Sequence, residues 1–248
     1  MSKPDILDEM HRLIDAANAR NIFLRVLGGL AVRVHSGDFQ KLFIRDYPDI
    51  DFVTAEKDRR KLEPFFAEMG YEPNKKFNVL NGANRQIYYD LTGMRVDIFV
   101  GDFQMCHKLP MNDRLHLDPI TVPLAELLLS KAQIVELNRK DALDIASILL
   151  YNETGKDDNK KINLDYIAQL CSQDWGLYKT TSINLKQVEE IVTDEKLNLS
   201  QEERSLILSR LHQIQQTFEE MPKSLQWKMR DKVGTRVRWY EEVEEVAR

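Results

Sequence analysis

Two aspartates one residue apart, Asp49 and Asp51, lie within residues 48–53. In an extended strand, successive side chains alternate between the two faces at about 3.3 Å per residue. Both carboxylates would therefore point to one face, while Ile50 and Phe52 point into a core. Two carboxylates about 7 Å apart repel each other, and a hard divalent cation relieves that repulsion. The spacing therefore predicts a metal site.

A third aspartate, Asp97, lies between the apolar residues Val96 and Ile98. If its strand pairs with the first one, about 4.8 Å away, the three carboxylates converge. Such a cluster can hold two magnesium ions for phosphoryl chemistry. The alternative is that Asp49 and Asp51 lie on the solvent side of an edge strand, as alternating polar residues commonly do.

Two adjacent glycines, Gly28 and Gly29, follow a predicted buried strand at residues 22–27. A predicted helix begins directly after them, at Leu30. Glycines at such a turn let backbone N–H groups approach a phosphate. The turn therefore predicts a phosphate-binding position close to the aspartates.

This order of a strand, two glycines, a helix, Asp-x-Asp and a later third aspartate resembles the nucleotidyltransferase superfamily, the fold of the polymerase-β-like enzymes. The resemblance covers about residues 20–152. It implies that Gly28 and Gly29 cradle a nucleoside triphosphate and that the three aspartates hold Mg²⁺ or Mn²⁺. Within the superfamily the chain is most similar to the AbiEii-type branch of bacterial toxin–antitoxin and abortive-infection systems. That branch implies an antitoxin partner.

The similarity to this branch rests on Lys131 and on the Lys-Asp-x-x-Asp pattern at residues 140–144. Lys131 falls inside the apolar stripe of a predicted helix, so it either follows the edge of the core or reaches a buried anion. The resemblance favours triphosphate binding. Asp141 and Asp144 border the buried arc of the next helix. They belong either to a solvated helix start or to the rim of the nucleotide site.

The reaction implied by the resemblance moves a nucleoside monophosphate from a nucleoside triphosphate to an acceptor hydroxyl or phosphate and releases pyrophosphate. Asp97 would help to deprotonate the attacking hydroxyl, and Lys131 would neutralise charge on the pyrophosphate. RNA, a protein hydroxyl and a small molecule all stay open as acceptors.

Two departures from the family pattern favour an alternative function. Nineteen residues separate Gly29 from Asp49, which predicts an insertion around residues 37–46. Leu30 stands where many relatives have a serine or threonine, so a hydroxyl contact to phosphate is missing. The alternative is a non-catalytic nucleotide-binding or interaction protein with the same fold, and the three intact carboxylates argue against it.

A meander of three strands is predicted at residues 76–80, 85–91 and 95–100, with Asn-Gly and Thr-Gly pairs at its turns. The third of these strands carries Asp97. Arg85 begins the second strand. It either faces the site and contacts a phosphate, or faces solvent on a half-exposed strand.

The composition is that of a soluble globular protein of 248 residues, with 43% hydrophobic and 30% charged residues. The formal charge of -5 argues against extensive coating of nucleic acid. Cys106 and Cys171 lack metal-ligand spacing, which favours a reducing compartment. The sequence shows no signal peptide or transmembrane stretch, so we expect a cytoplasmic protein that does not contact membranes.

A polar stretch at residues 152–161 predicts a domain boundary. We expect an α/β (α+β) nucleotidyltransferase domain with a mixed sheet at residues 1–152, followed by an all-helical C-terminal domain at residues 153–248. Ser200 and Glu203 have the spacing of a helix capping box. The helices expected in the C-terminal domain lie at about residues 162–173, 174–193, 200–221 and 224–246.

The end of the chain carries six basic residues against one aspartate between residues 222 and 239. Interleaved with Trp227 and Trp239, they could attract and stack an RNA acceptor. The alternative, which a charge run on a terminal helix favours, is an exposed helix face with both tryptophans in the core. The basic residues are Lys223, Lys228, Arg230, Lys232, Arg236 and Arg238.

Overall fold

The computed structural model describes residues 5–37 and 47–242. Most of the predicted insertion at residues 37–46 lies outside the described residues. The chain divides into two compact units, which we call the sheet unit and the helical unit. The sheet unit contains the described residues up to Val34, those from Tyr47 to Phe103, and Leu109–Pro123. The helical unit contains the other described residues.

One five-stranded sheet forms the centre of the sheet unit. Its strands are β1 Leu24–Val26, β2 Asp49–Thr54, β3 Tyr71–Pro73, β4 Arg85–Asp90 and β5 Arg95–Val100. Their spatial order is β1-β2-β5-β4-β3. Strands β2 and β5 run parallel, whereas the other neighbouring strands run antiparallel. The mixed sheet expected from the sequence is therefore confirmed.

Four α-helices accompany this sheet in the sequence: α1 Ile6–Ala19, α2 Gly28–Ser36, α3 Leu62–Glu68 and α4 Lys75–Asn81. A 3-10 helix, Glu56–Lys61, leads directly into α3. The amphipathic pattern of α1 buries the side chains on one of its faces, as helices that lie on a sheet do. These are Met10, Leu13, Ile14 and Ala17.

The apolar face of the sheet is packed against α1 and α3. Ile50 and Phe52 on β2 are fully buried. Phe66 of α3 stacks on Tyr88 with ring centroids 4.5 Å apart. Glu9 of α1 accepts a hydrogen bond from the hydroxyl of Tyr71 at 2.6 Å. Because strand residues alternate, this burial leaves the odd-numbered residues of β2 on the opposite face.

The predicted strand at residues 76–80 is wrong, because these residues belong to helix α4. Asn74 caps the helix, and its side chain accepts a hydrogen bond from Phe77 N at 3.1 Å. Val79 and Leu80 are 84% and 75% exposed. The apolar residues that suggested a strand therefore have no sheet face to cover, and the local cap determines the conformation.

The helical unit contains six α-helices among its described residues. They are α5 Leu124–Ala132, α6 Arg139–Tyr151, α7 Leu164–Gln173, α8 Trp175–Thr193, α9 Gln201–Glu220 and α10 Leu225–Val233. Short strands form two further two-stranded sheets. The strands are β6 Phe103–Gln104 with β7 Lys108–Leu109, and β8 Glu153–Gly155 with β9 Lys161–Asn163. The helical C-terminal part expected from the sequence is confirmed, with the pair β8–β9 in addition.

From Leu124 onward all described residues belong to the helical unit, whereas the sequence placed a domain boundary between residues 152 and 153. Helices α5 and α6 bond to the later helices, which explains the difference. The amide of Asn184 donates to the carbonyls of Ala132 and Ile134 at 2.8 and 2.7 Å. Arg210 donates to the carbonyl of Leu149 at 2.8 Å. The polar stretch at residues 152–161 is thus a connection inside the helical unit.

The predicted C-terminal helices are found close to their expected positions, and the capping box of Ser200 and Glu203 is confirmed. The last helix is shorter than predicted. It ends at Gly234, whose φ of +61° is a left-handed value that helices do not continue through. Residues 243–246 of the predicted helix lie outside the described residues. Within the described parts of the chain, no helix is long and apolar enough to cross a membrane.

Candidate functional site on the polar face of the sheet

The register of β2 and β5 determines where the three aspartates lie. Asp51 is the direct partner of Asp97, and Asp49 is the partner of Arg95. In a parallel pair, partners project from the same face, and neighbouring strands are about 4.8 Å apart. The strand of Asp97 thus pairs with the Asp-x-Asp strand, which is the condition that the sequence analysis set for the three carboxylates to converge. All three aspartates therefore lie on the face opposite to Ile50.

Asp97 is buried, with 1% of its surface exposed, and two arginines bind it. Arg85 forms a bidentate pair: its Nε donates to Oδ1 at 2.8 Å and its Nη2 to Oδ2 at 2.6 Å. Nη2 of Arg95 also donates to Oδ2. Such charge-assisted pairs are stronger than neutral hydrogen bonds. In this structure, Asp97 is the centre of an ion-pair cluster.

The sequence left two orientations open for Arg85, toward the site or toward solvent. In the structure its side chain lies on the aspartate face, and its contact with a phosphate stays a prediction. Its guanidinium carbon is 4.9 Å from the ring centroid of Phe99, its partner across the strands. Burial acts to lower the pKa of Arg85, but the hydrogen bonds and charge of Asp97, with the charges of Asp51 and Asp49, outweigh it and raise that pKa. Arg85 is therefore a permanent cation that interacts with all three carboxylates.

The glycine turn approaches Asp51 closely. Helix α2 begins at Gly28 rather than at Leu30, and Gly29 is its second residue. Gly28 has a φ of +70°, and a Cβ added to it would lie 2.5 Å from Oδ2 of Asp51. Leu27 N also donates to the Asp51 carbonyl at 2.8 Å. A residue without a side chain is needed here, because the backbone lies against the carboxylate.

The side chains present fit a divalent cation in part. Among the described residues, no group of three or more histidine, cysteine, aspartate or glutamate side chains is arranged to hold a metal ion. Asp49 and Asp51 supply the hard oxygen ligands that Mg²⁺ and Mn²⁺ prefer. Both oxygens of Asp97 accept hydrogen bonds from arginines. Asp97 could join the ligand set after these guanidinium groups move.

Lys131, Asp141 and Asp144 form a second cluster, inside the helical unit. Lys131 Nζ lies 2.8 Å from Oδ1 of Asp141 and 2.9 Å from Oδ2 of Asp144. Burial acts to lower the pKa of Lys131, but the two carboxylates outweigh it and raise that pKa. Burial likewise acts to raise the pKa of Asp141, and the Lys131 ammonium outweighs it and lowers that pKa. The buried anions that Lys131 reaches are thus two aspartates of α6.

Asp144 does not belong to a solvated helix start, because it is fully buried. Asn138 caps α6 instead, with its side-chain oxygen accepting a hydrogen bond from Asp141 N at 2.9 Å. The predicted roles of Lys131 and Asp144 in nucleotide binding stay predictions. The observed contacts account for both residues as a buried ion-pair cluster.

Known proteins offer distant likenesses to this chain. No family model and no curated protein matches it. The solved structures that resemble it include the lincomycin-bound lincosamide adenylyltransferase LnuA, with 17% identity, 57% of this chain and 94% of that chain covered, and a TM-score of 0.41. At TM-scores below 0.5, this likeness and the two that follow do not assign a family to the chain.

Two further structures are of the same kind. A nucleotidyltransferase-like protein from Paracoccidioides brasiliensis has 19% identity and a TM-score of 0.36, and the match covers 71% of this chain and 91% of that chain. Terminal uridylyl transferase 4 from Trypanosoma brucei, with bound GTP, has 10% identity and a TM-score of 0.30, and the match covers 86% of this chain and 90% of that chain. None of these comparisons confirms the AbiEii-type branch.

Arg95 is the site residue that the sequence analysis missed. It lies on the aspartate face as the partner of Asp49, and its side chain is 14% exposed. Its Nε is buried and has no hydrogen-bond partner among the described residues. The strand period of two, applied from Asp97 backwards, would have placed Arg95 on the same face.

The tryptophans near the C-terminus have internal partners. Trp227 is 6% exposed and donates to the Cys171 carbonyl at 3.1 Å. Trp239 donates to the hydroxyl of Thr180 at 3.0 Å. Trp227 therefore belongs to the helical core, as the alternative expected, whereas Trp239 is half-buried. Trp227 therefore offers no exposed ring on which a base of a single strand could stack.

Proposed function

We propose that the chain is a metal-dependent nucleotidyltransferase that moves a nucleoside monophosphate from a nucleoside triphosphate to an acceptor hydroxyl or phosphate. The observation that carries the proposal is the pairing of β2 with β5. It brings Asp51 next to Asp97, with Asp49 on the same face and the Gly28 turn against Asp51. Carboxylates that converge beside a glycine turn and a helix start suit a cation and a phosphate together.

In the sheet unit, carboxylates are proposed to bind the metal ion and accept a proton, and backbone N–H groups are proposed to bind phosphate. Asp49 and Asp51 would hold Mg²⁺ or Mn²⁺, which when bound polarises the phosphate and lowers the pKa of the attacking hydroxyl. Asp97 complements them as the carboxylate that accepts the proton of the acceptor. Gly28 and Gly29 lie at the start of α2, where backbone N–H groups favour the negative charge of phosphates.

Cations complete the proposed site. Arg85, held on the aspartate face, would contact a phosphate oxygen. Lys131 would neutralise the departing pyrophosphate, with Asp144 at the rim. These two roles in the helical unit rest on the resemblance to the AbiEii-type branch. The toxin–antitoxin role, an antitoxin partner and a cytoplasmic location rest on sequence reasoning as well.

Label transfer tests the proposal directly. The purified chain is incubated with each nucleoside triphosphate, labelled at the α or the γ phosphate, with Mg²⁺ or Mn²⁺. We expect the α label to move to an acceptor and the γ label to appear in pyrophosphate. Reactions with total RNA, with cellular protein and with a small-molecule extract separate the three acceptor classes. Release of the γ label as orthophosphate, or no reaction with any extract, would contradict nucleotidyl transfer.

A second candidate function is nucleotide binding without turnover. The observation that favours it is the cluster in which both oxygens of Asp97 are bound by Arg85 and Arg95. Leu30, which is buried, also leaves no hydroxyl after the glycines. This candidate predicts metal-dependent nucleotide binding with no transfer of the α label.

Substitutions at the glycine turn can distinguish the effect of backbone strain on stability from the effect of the Asp51 position on nucleotide binding. Gly28→Ala and Gly93→Ala both place a side chain at a positive φ, +70° and +83°, so each is expected to cost about 1–2 kcal/mol in the free energy of unfolding. Nothing lies within 4 Å of a Cβ at Gly93. At Gly28 the Cβ displaces the Asp51 carboxylate, so Gly28→Ala should also weaken metal-dependent nucleotide binding about tenfold.

Urea denaturation and nucleotide titration of the two variants check this expectation. Gly93→Ala is the matched control, because it carries the same kind of strain away from Asp51. Equal nucleotide affinities in the two variants would show that the position of the Asp51 carboxylate does not matter for binding.

A further inference from the structure

One of the two arginines on the aspartate face, Arg95, has a buried donor without an acceptor in the part of the chain that the structure describes. Arg95 Nε is buried without a hydrogen-bond partner among the described residues, while Nη2 of the same guanidinium binds Asp97. A buried donor without an acceptor is costly, and an incoming oxygen ligand removes the cost. Because the planar guanidinium matches phosphate oxygens in a bidentate manner, a phosphate is the class of ligand that suits this donor.

The charges of the cluster lead to the same class of ligand. Three carboxylates, of Asp49, Asp51 and Asp97, face two guanidinium groups, of Arg85 and Arg95. Once a cation shares the carboxylates, the guanidinium groups need new anions, and the phosphates of a nucleotide supply them.

From these observations we propose that Arg85 and Arg95 are an exchangeable clamp. They hold Asp97 while the site is empty, and they pass to the phosphates of the nucleotide when Asp97 turns to the metal ion. This inference rests on the proposed function and assigns Arg95 as a nucleotide-binding residue. It makes the arginines competitors of the metal ion and partners of the nucleotide.

Two opposite effects of one substitution follow from this competition. Arg95→Gln removes a competitor for Asp97, so Mn²⁺ alone should bind about tenfold more tightly than to the wild type. The same substitution removes a phosphate partner, so the Mn²⁺ complex of a non-hydrolysable nucleoside triphosphate should bind about tenfold more weakly. Arg85 keeps its bidentate pair with Asp97 in this variant, which preserves the fold.

The experiment measures Mn²⁺ binding by electron paramagnetic resonance and nucleotide binding by calorimetry on the full chain. Arg60→Gln is the matched control, because it removes an exposed arginine from the 3-10 helix Glu56–Lys61. Both affinities should stay unchanged in that control. Arg95→Gln changing both affinities in the same direction, or neither, would overturn the clamp.

Asp97→Asn is a second test of the clamp, because it removes the charge of the carboxylate that the two arginines bind. Loss of the carboxylate charge frees Arg85 and Arg95, so the nucleotide analogue should bind more tightly in EDTA, without any metal ion, than it does to the wild type. Unchanged or weaker binding in EDTA would contradict the clamp. If the wild type binds neither Mn²⁺ nor the Mn²⁺–nucleotide complex, the proposed function itself fails, which is a distinct result.

Discussion

Asp49→Asn combined with Asp51→Asn is expected to abolish the rise in melting temperature that a nucleoside triphosphate and Mg²⁺ give to the wild type. A ligand present at 100 times its dissociation constant stabilises the folded state by about 2.7 kcal/mol. That stabilisation needs the cation, because the carboxylates repel the phosphates until the cation bridges them. The nucleotide without a divalent ion should therefore leave the melting temperature of both proteins unchanged.

The double variant should remain folded, because asparagine keeps the shape of each side chain and the bidentate pair of Arg85 with Asp97 stays in place. Asp8→Asn with Asp15→Asn is the matched control: the same change of charge, at two exposed positions of α1. The control should keep the full metal-dependent shift in a thermal denaturation assay. Equal shifts in the double variant and the wild type would place the nucleotide away from β2.

The alternation of side chains was sufficient to predict which face the aspartates share. Apolar Ile50 and Phe52 needed burial, and that need placed Asp49 and Asp51 opposite them. The register that puts Asp51 beside Asp97 came from the long-range pairing of β2 with β5, which the local pattern indicated but could not fix. The sequence could therefore predict which face the aspartates share, but not the register between the two distant strands.

The parts that sequence reasoning missed depend on tertiary partners. The apolar residues of α4 suggested a strand, but Asn74 caps a helix there and the high exposure of Val79 shows that these residues do not pack in the sheet. Arg95 was missed because its place beside Asp49 depends on the pairing of β2 with β5. The partners of Lys131 lie on the next helix, and only the packing of α5 against α6 identifies them.

Lys131→Met is expected to lower the free energy of unfolding by about 3–5 kcal/mol, the usual cost of leaving a buried charge without its partner. Lys131 is the counter-charge of Asp141 and Asp144, and the Asp144 side chain is fully buried. If Lys131 served the nucleotide alone, its removal would reduce turnover and leave stability unchanged. Urea denaturation without ligand separates these two roles.

The pH dependence of the same cluster gives an independent measurement. The pKa of Asp141 is lowered in the folded state, chiefly by Lys131 acting against burial. Its contribution to stability is therefore complete above the pKa of the unfolded chain and is lost as the pH falls through the lowered folded pKa. Lys131→Met should remove this part of the acid-induced loss of stability, whereas Lys186→Met, at an exposed position of α8, should retain it. A Lys131→Met protein as stable as the wild type from neutral to acid pH would show that the two aspartates do not depend on this ammonium, and would return Lys131 to its predicted role at the nucleotide.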